Sequence, residues 1–284
     1  MQEPVKLIEC PRDAMQGIHE FIPTALKAEY LNLLLQVGYD TLDFGSFVSP
    51  KAIPQLRDTA TVLAALDLSQ TRTKLLAIVA NVRGAEEAVQ HQAITYLGFP
   101  FSISETFQQR NTNSSIAKSL ETVEQMLALC DHSGKKAVVY LSMGFGNPYG
   151  DEWNTAIVQD WASQLVDKGV EILALSDTTG VSTPEQITEL LPMLINSFPA
   201  AEIGLHLHST PEKRFEKIKA AFEGGCTRFD SAIKGYGGCP MAADDLTGNM
   251  ATEDVLQYLQ GQQIPTGLNM ERFNEAMAFS TKVF

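Results

Sequence analysis

No stretch of this 284-residue chain approaches the roughly 20 consecutive apolar residues that a membrane-spanning helix requires. Basic blocks are also missing and the net charge is −13, so there is no positive footprint for nucleic acid or for an anionic membrane surface. A local cluster of cations can still receive an anionic small molecule. The four cysteines (Cys10, Cys130, Cys226 and Cys239) show neither C-x-x-C spacing nor disulfide density, and reduced thiols are the expectation. The opening MQEPVKLIEC has no basic start before an apolar stretch and no Arg-rich amphipathic pattern, which points to a cytoplasmic protein. No low-complexity tract or Pro/Gly/Ser linker divides the chain, so residues 1–284 read as one domain.

What is present is apolar mass, 44% of residues, enough for a substantial core. Short β-like runs alternate with longer amphipathic segments. The runs begin at VKLIEC (5–10), TLDFGSF (41–47), TKLLAIV (73–79), ITYLGF (94–99), KAVVYLSM (136–143), EILALSD (171–177), EIGLHLH (202–208) and RFDSAI (228–233). Helical patterns cover 24–36, 55–66, 84–92, 115–131, 155–168, 184–197, 212–223 and about 252–260. Thr183-Pro184 with Gln186 supplies a cap, a first-turn proline and a box partner, and Thr210-Pro211 repeats the cap-and-proline device. Connections this long exclude hairpins and imply parallel strands covered on both faces. Eight such units close most naturally into an α/β (β/α)8 TIM barrel. An open doubly wound sheet is the competitor, but no G-x-G-x-x-G follows the first strand. A C-terminal helical extension, about 265–284, carries an amphipathic segment (269–283) suited to capping the barrel or covering a neighbour, so a homodimer is one expectation.

In a barrel the active site lies at the C-terminal strand ends. There the chain places Arg12 and Asp13 after strand one, Asp43 and Ser46 on strand two, Asp177 on strand six, and His206 and His208 on strand seven. Side chains alternate along a strand, so His206 and His208 face the same way. Alone, H-x-H is more often polar filler, and Asp13 could be a loop cap. Together on one rim, two imidazoles and a carboxylate suit a divalent cation, Mg²⁺ or Mn²⁺, with three-ligand zinc as the chemical alternative.

PRDAMQ (11–16), SFVSPKAIPQ (46–55), SDTTGVSTP (176–184), HLH (206–208) and GGCPMA…TGNMATEDV (237–255) resemble the 3-hydroxy-3-methylglutaryl-CoA (HMG-CoA) lyase family of barrel metallolyases. The likeness runs from about Val5 to the end of the chain. It implies a metal-dependent lyase that cleaves HMG-CoA, or a close 3-hydroxyacyl-CoA, to acetyl-CoA and acetoacetate. It further implies that Asp13, His206, His208 and Asn249 bind the cation, that Cys239 sits on an active-site loop, and that Arg12 serves the developing enolate.

Those residues suit that chemistry. A cation lowers the pKa of a coordinated hydroxyl, and Arg12 is an always-charged donor for an oxyanion. Cys239, between Gly238 and Pro240, lies in loop-forming composition, where a thiol can shuttle a proton. Asp43 and Asp177 are expected to relay the hydroxyl proton or tether the ligands. Segment 104–115 resembles the family's substrate loop, so Arg110 and Asn111, with Lys51, are expected near the phosphate or pantetheine groups of the acyl-CoA. Three departures stand out: the family has Glu at Asp43, an Asp at Ser209 that would orient a histidine, and a cysteine at Asn147. Two other readings remain open: a Claisen-condensing acyltransferase of the isopropylmalate or homocitrate synthase type, and a non-catalytic acyl-CoA-binding barrel.

Overall fold

A computed structural model describes residues 5–238 and 247–284. Eight parallel strands, β1 (Lys6–Glu9), β2 (Thr41–Ser46), β3 (Lys74–Ile78), β4 (Ile94–Ser102), β5 (Lys136–Ser142), β6 (Ile172–Asp177), β7 (Glu202–Leu207) and β8 (Arg228–Ser231), pair in sequence order. β8 returns to β1, with Lys6 opposite Arg228 and Ile8 opposite Asp230, and the barrel closes. All eight β-like runs are strands, and the expected TIM barrel is the fold found.

The helices are α1 (Pro11–Gln16), α2 (Thr24–Leu35), α3 (Thr59–Ala64), α4 (Val82–Ala88), α5 (Glu105–Thr112), α6 (Ile116–Ser133), α7 (Thr155–Asp167), α8 (Pro184–Ser197), α9 (Arg214–Glu223), α10 (Thr252–Gly261) and α11 (Met270–Ser280). The α8 start forms the expected capping box between Thr183 and Gln186, with Pro184 in the first turn. Thr210 behaves differently. Its side chain makes no capping bond, a 3₁₀ turn occupies Pro211–Lys213, and α9 begins only at Arg214. Two helices escaped the sequence reading. α1 has six residues, too few to show a period. In α5, ETFQQRNT, Phe107 is the one apolar side chain, so no stripe exists, and the expected substrate loop is a helix capped by Ser104.

Strand alternation divides the core into two layers. Leu76, Ile78, Tyr96, Val138, Tyr140, Ile172 and Ala174 form a cluster of their own, the barrel interior. The alternate residues, such as Leu75, Ala77, Leu97, Phe99, Leu173 and Leu175, join the larger layer beneath the helices. Full burial of each large side chain contributes about 1.5–3 kcal/mol. The interior also holds Arg228, fully buried, 5.7 Å from the Tyr96 ring and 3.7 Å from Glu202. Gly204 makes room for it, since a Cβ there would stand 2.9 Å from Arg228 Cδ.

α11 packs on α2 of its own chain, with Tyr30 stacked on Phe279 at 6.3 Å and Phe284 lying 4.4 Å from the Tyr236 ring. The C-terminal segment thus lies against the barrel's own helices. Among the described residues no helix is long and apolar enough to cross a membrane.

Candidate active site

At the end of β1, Pro11 starts α1 directly, so Arg12 and Asp13 fall in its first turn and both are buried. Asp43 on β2, wholly buried, receives Arg12 Nε at 3.0 Å and Nη2 at 2.5 Å on Oδ2. Arg12 Nη1 turns the other way, to Asp13 Oδ1 at 3.0 Å and Gln16 Oε1 at 2.9 Å. The shorter Asp43 therefore does reach Arg12. Burial pushes the Asp43 carboxyl up to about 6, a rise that the guanidinium restrains. Burial also opposes ionisation of Asp13, yet Arg12, the two imidazoles and Asn249 outweigh it and hold that carboxyl below the usual range.

His206 Nδ1 lies 3.1 Å from Asp230 Oδ2 on β8. That carboxylate fixes the proton on Nδ1 and leaves the Nε2 lone pair bare in the neutral ring. His206 Nε2 faces His208 Nε2 at 3.2 Å. Burial opposes protonation of His206, but the hydrogen bond and charge of Asp230 lift its pKa above the ordinary value. Burial and the neighbouring His206 take His208 down to about 4, so its ring is neutral at pH 7. Asp230 was missed in the sequence. The available signal was a carboxylate in the middle of an otherwise strand-like RFDS, two positions from Arg228 and hence on the same face. It corrects the expectation drawn from Ser209: a carboxylate does orient a histidine here, reaching His206 from the next strand.

The remaining sequence-predicted residues divide by position. Asn249 Nδ2 donates to Asp13 Oδ2 at 2.7 Å and to the Tyr236 carbonyl at 2.8 Å, and Asn249 forms a β-bridge with His208. It thus stands beside the cluster, with its amide nitrogen toward Asp13. Asp177 does not line the cavity. It is fully occupied by Val181 N, Ser182 N and Oγ, and the buried Lys217, which structural tie corrects its expected place on the open rim. Cys239 lies outside the described residues. Cys130 and Cys226 are buried, their thiols pushed by burial up to about 11 and about 12. Cys10 is buried but neighbours the chemistry: its ligand atom and those of His206 and Asp230 all lie within 4.8 Å of one another.

A cavity of about 390 Å³ opens over this cluster, and its lining includes Arg12, Asp13, Gln16, His206 and His208. The same lining includes the apolar Val48, Ile78, Pro100 and Phe107, and Arg110 and Asn111 on α5. Arg110 and Asn111 thus share one cavity with the cluster. Lys51 does not: it is exposed, off the cavity lining.

The donor set fits a divalent cation. One carboxylate oxygen of Asp13 and one nitrogen each of His206 and His208 lie within 4.8 Å of one another. An octahedral ion with ligands at roughly 2.1 Å places opposite donors about 4.2 Å apart. The two facing Nε2 atoms, 3.2 Å apart, are near enough to share a proton or a cation.

The HMGL-like family profile matches residues 5–279. The chain is 34% identical over 269 residues to the hydroxymethylglutaryl-CoA lyase of Bacillus subtilis, covering 94% of this chain and 88% of that one. Its fold superposes on the HMG-CoA lyase of Brucella melitensis with a TM-score of 0.91, at 30% identity over 99% of this chain and 98% of the other. An HMG-CoA lyase from Acinetobacter baumannii, solved with coenzyme A and 3-methylmalate, matches with a TM-score of 0.89, 28% identity, and coverage of 96% and 89%.

Proposed function

The chain belongs to the HMGL-like family, and on that premise we propose that it is a divalent-metal-dependent lyase cleaving HMG-CoA, or a close 3-hydroxyacyl-CoA, to acetyl-CoA and acetoacetate. The observation that carries this reading is the convergence of Asp13, His206 and His208 beside Arg12 in one cavity at the C-terminal rim. In the reaction the C2–C3 bond breaks, its electron pair passes into the departing thioester as an enolate, the C3 hydroxyl loses its proton and becomes a ketone, and the enolate carbon is then protonated.

Asp13, His206 and His208 would hold the cation, with Asn249 beside Asp13 as the fourth member. Bound there, Mg²⁺ or Mn²⁺ supplies Lewis acidity for the substrate's hydroxyl. Arg12 lines the same cavity, and Asp43 fixes its guanidinium through two donors. It is placed to donate to the thioester oxygen as charge develops, a role that for a single oxyanion donor is worth about 3–4 kcal/mol. Asp43 acts by orienting Arg12; its carboxylate is already committed and does not need to relay the hydroxyl proton. Asp177 acts by holding the turn after β6. Cys239, by its GGCP context, is assigned the proton delivered to the enolate carbon. In the same cavity Arg110 and Asn111 offer a cation and an amide to the carrier portion of the thioester. A cytoplasmic setting goes with this reading.

The test is direct. Purified protein with Mg²⁺ or Mn²⁺ is expected to release acetyl-CoA and acetoacetate in equal amounts from HMG-CoA and to stop in EDTA. Absence of both products in the presence of either ion would contradict the assignment.

A further inference from the structure

Lys217 on α9 is fully buried, yet no part of the site described above includes it. Its ammonium group donates to Asp177 Oδ2 at 2.9 Å, to the Gly180 carbonyl at 3.0 Å and to the His208 carbonyl at 3.0 Å, so all three N–H groups are used. A buried ammonium is costly unless paired and hydrogen-bonded. Here one charge joins the end of β6, the turn that follows it and the end of β7.

The turn after β6 has ties of its own besides this lysine. Asp177 accepts from Val181 N, Ser182 N and Ser182 Oγ without it. What Lys217 adds is the link from that turn to the backbone of His208. The same turn supports the segment carrying Asn249. A Cβ on Gly180, at φ +73°, would stand 2.6 Å from Thr247 Cγ2. Thr247 Oγ1 donates to the Thr179 carbonyl at 3.3 Å, and Ser209 N donates to the Gly248 carbonyl at 3.0 Å. His208 and Asn249 are bridged directly.

We infer that Lys217 is a positioning residue for the metal site, setting His208 and Asn249 against Asp13 by clamping the turn after β6 to the end of β7. The inference rests on the metal-site reading given under Proposed function. Removing the amino group leaves every proposed ligand in place but frees the His208 carbonyl, and loss of such an outer contact typically weakens a metal by 10–100-fold.

The experiment measures the Mn²⁺ dissociation constant of the full chain by electron paramagnetic resonance for wild type, Lys217→Met, Lys217→Gln and Lys135→Met. Lys135 is the comparator: a buried lysine just before β5 that donates to the His91 and Ile94 carbonyls at the start of β4, on the opposite rim. Weakening of at least tenfold in both Lys217 variants, with Lys135→Met within twofold of wild type despite a lowered Tm, supports the inference. The glutamine variant keeps a donor for one of the three oxygens and serves as the readout if the methionine variant does not fold. Folded Lys217 variants with unaltered Mn²⁺ affinity, or equal weakening in Lys135→Met, overturn it while leaving the metal site standing. A wild-type chain that takes no Mn²⁺ overturns the metal site itself.

Discussion

His206 Nδ1 and Asp230 Oδ2, 3.1 Å apart on neighbouring strands, decide which nitrogen the ring presents to the cavity. Asp230→Asn keeps the shape but removes the charge that fixes the tautomer. Mn²⁺ affinity should fall by about 10–100-fold, measured by calorimetric titration of the metal-free protein. Unchanged affinity would show that His206 is oriented by packing alone.

Arg12 is bonded to the proposed ligand Asp13, and its guanidinium is held by Asp43 from one side and Asp13 from the other. Arg12→Gln should lower kcat on HMG-CoA by about 10²–10³-fold, the value of one oxyanion donor. KM should move much less. A variant that raises KM at full kcat would place Arg12 in ground-state binding instead.

Glu9 gives a pH dependence. It is buried, accepts from Ile233 N and Thr252 Oγ1, and burial pushes its carboxyl up to about 8 from an ordinary 4.5. The folded state then holds a proton that the unfolded chain releases. The stabilisation is complete below about pH 4.5 and drains away as pH climbs to about 8, by at most roughly 1.4 kcal/mol per unit. Urea midpoints at pH 5, 6.5 and 8 should show this decline in wild type and a flatter profile in Glu9→Gln. Parallel profiles would exclude Glu9 as the source.

Gly237 has φ +93°, and a Cβ there would stand 2.8 Å from the Asp13 carbonyl and 2.9 Å from Asn249 Nδ2. Gly237→Ala should therefore separate Asn249 from Asp13 and lower metal affinity by tenfold or more, with a smaller change in Tm. A large Tm loss at wild-type Mn²⁺ affinity would contradict that link.

The barrel was legible because its signal is repetitive: eight apolar runs separated by amphipathic segments leave few closed arrangements. The clustering of Asp13, His206 and His208 was legible because strand ends in a barrel share a rim. Asp230 was hidden for a physical reason. Its partner lies on the next strand, 24 residues away, and the sequence carries no register between β7 and β8. Lys217 was hidden likewise, as one cation on a helix whose other lysine, Lys219, faces solvent. Asp177, expected to relay a proton or tether the ligands, is filled by four donors and joined through Lys217 to the His208 backbone, an arrangement of tethering rather than relay. Helix α5 went unseen because it has no apolar face to bury beyond Phe107.

One ion shared by Asp13, His206 and His208 is what the proposed reaction requires. Mn²⁺ binding to metal-free wild type and to Asp13→Asn, followed alongside HMG-CoA cleavage in the same samples, tests that claim most directly. The expected result is one ion per wild-type chain, with acetyl-CoA release rising in step with occupancy, and binding and turnover lost together in Asp13→Asn. Wild-type Mn²⁺ affinity in Asp13→Asn, or full turnover in the metal-free protein, would contradict it.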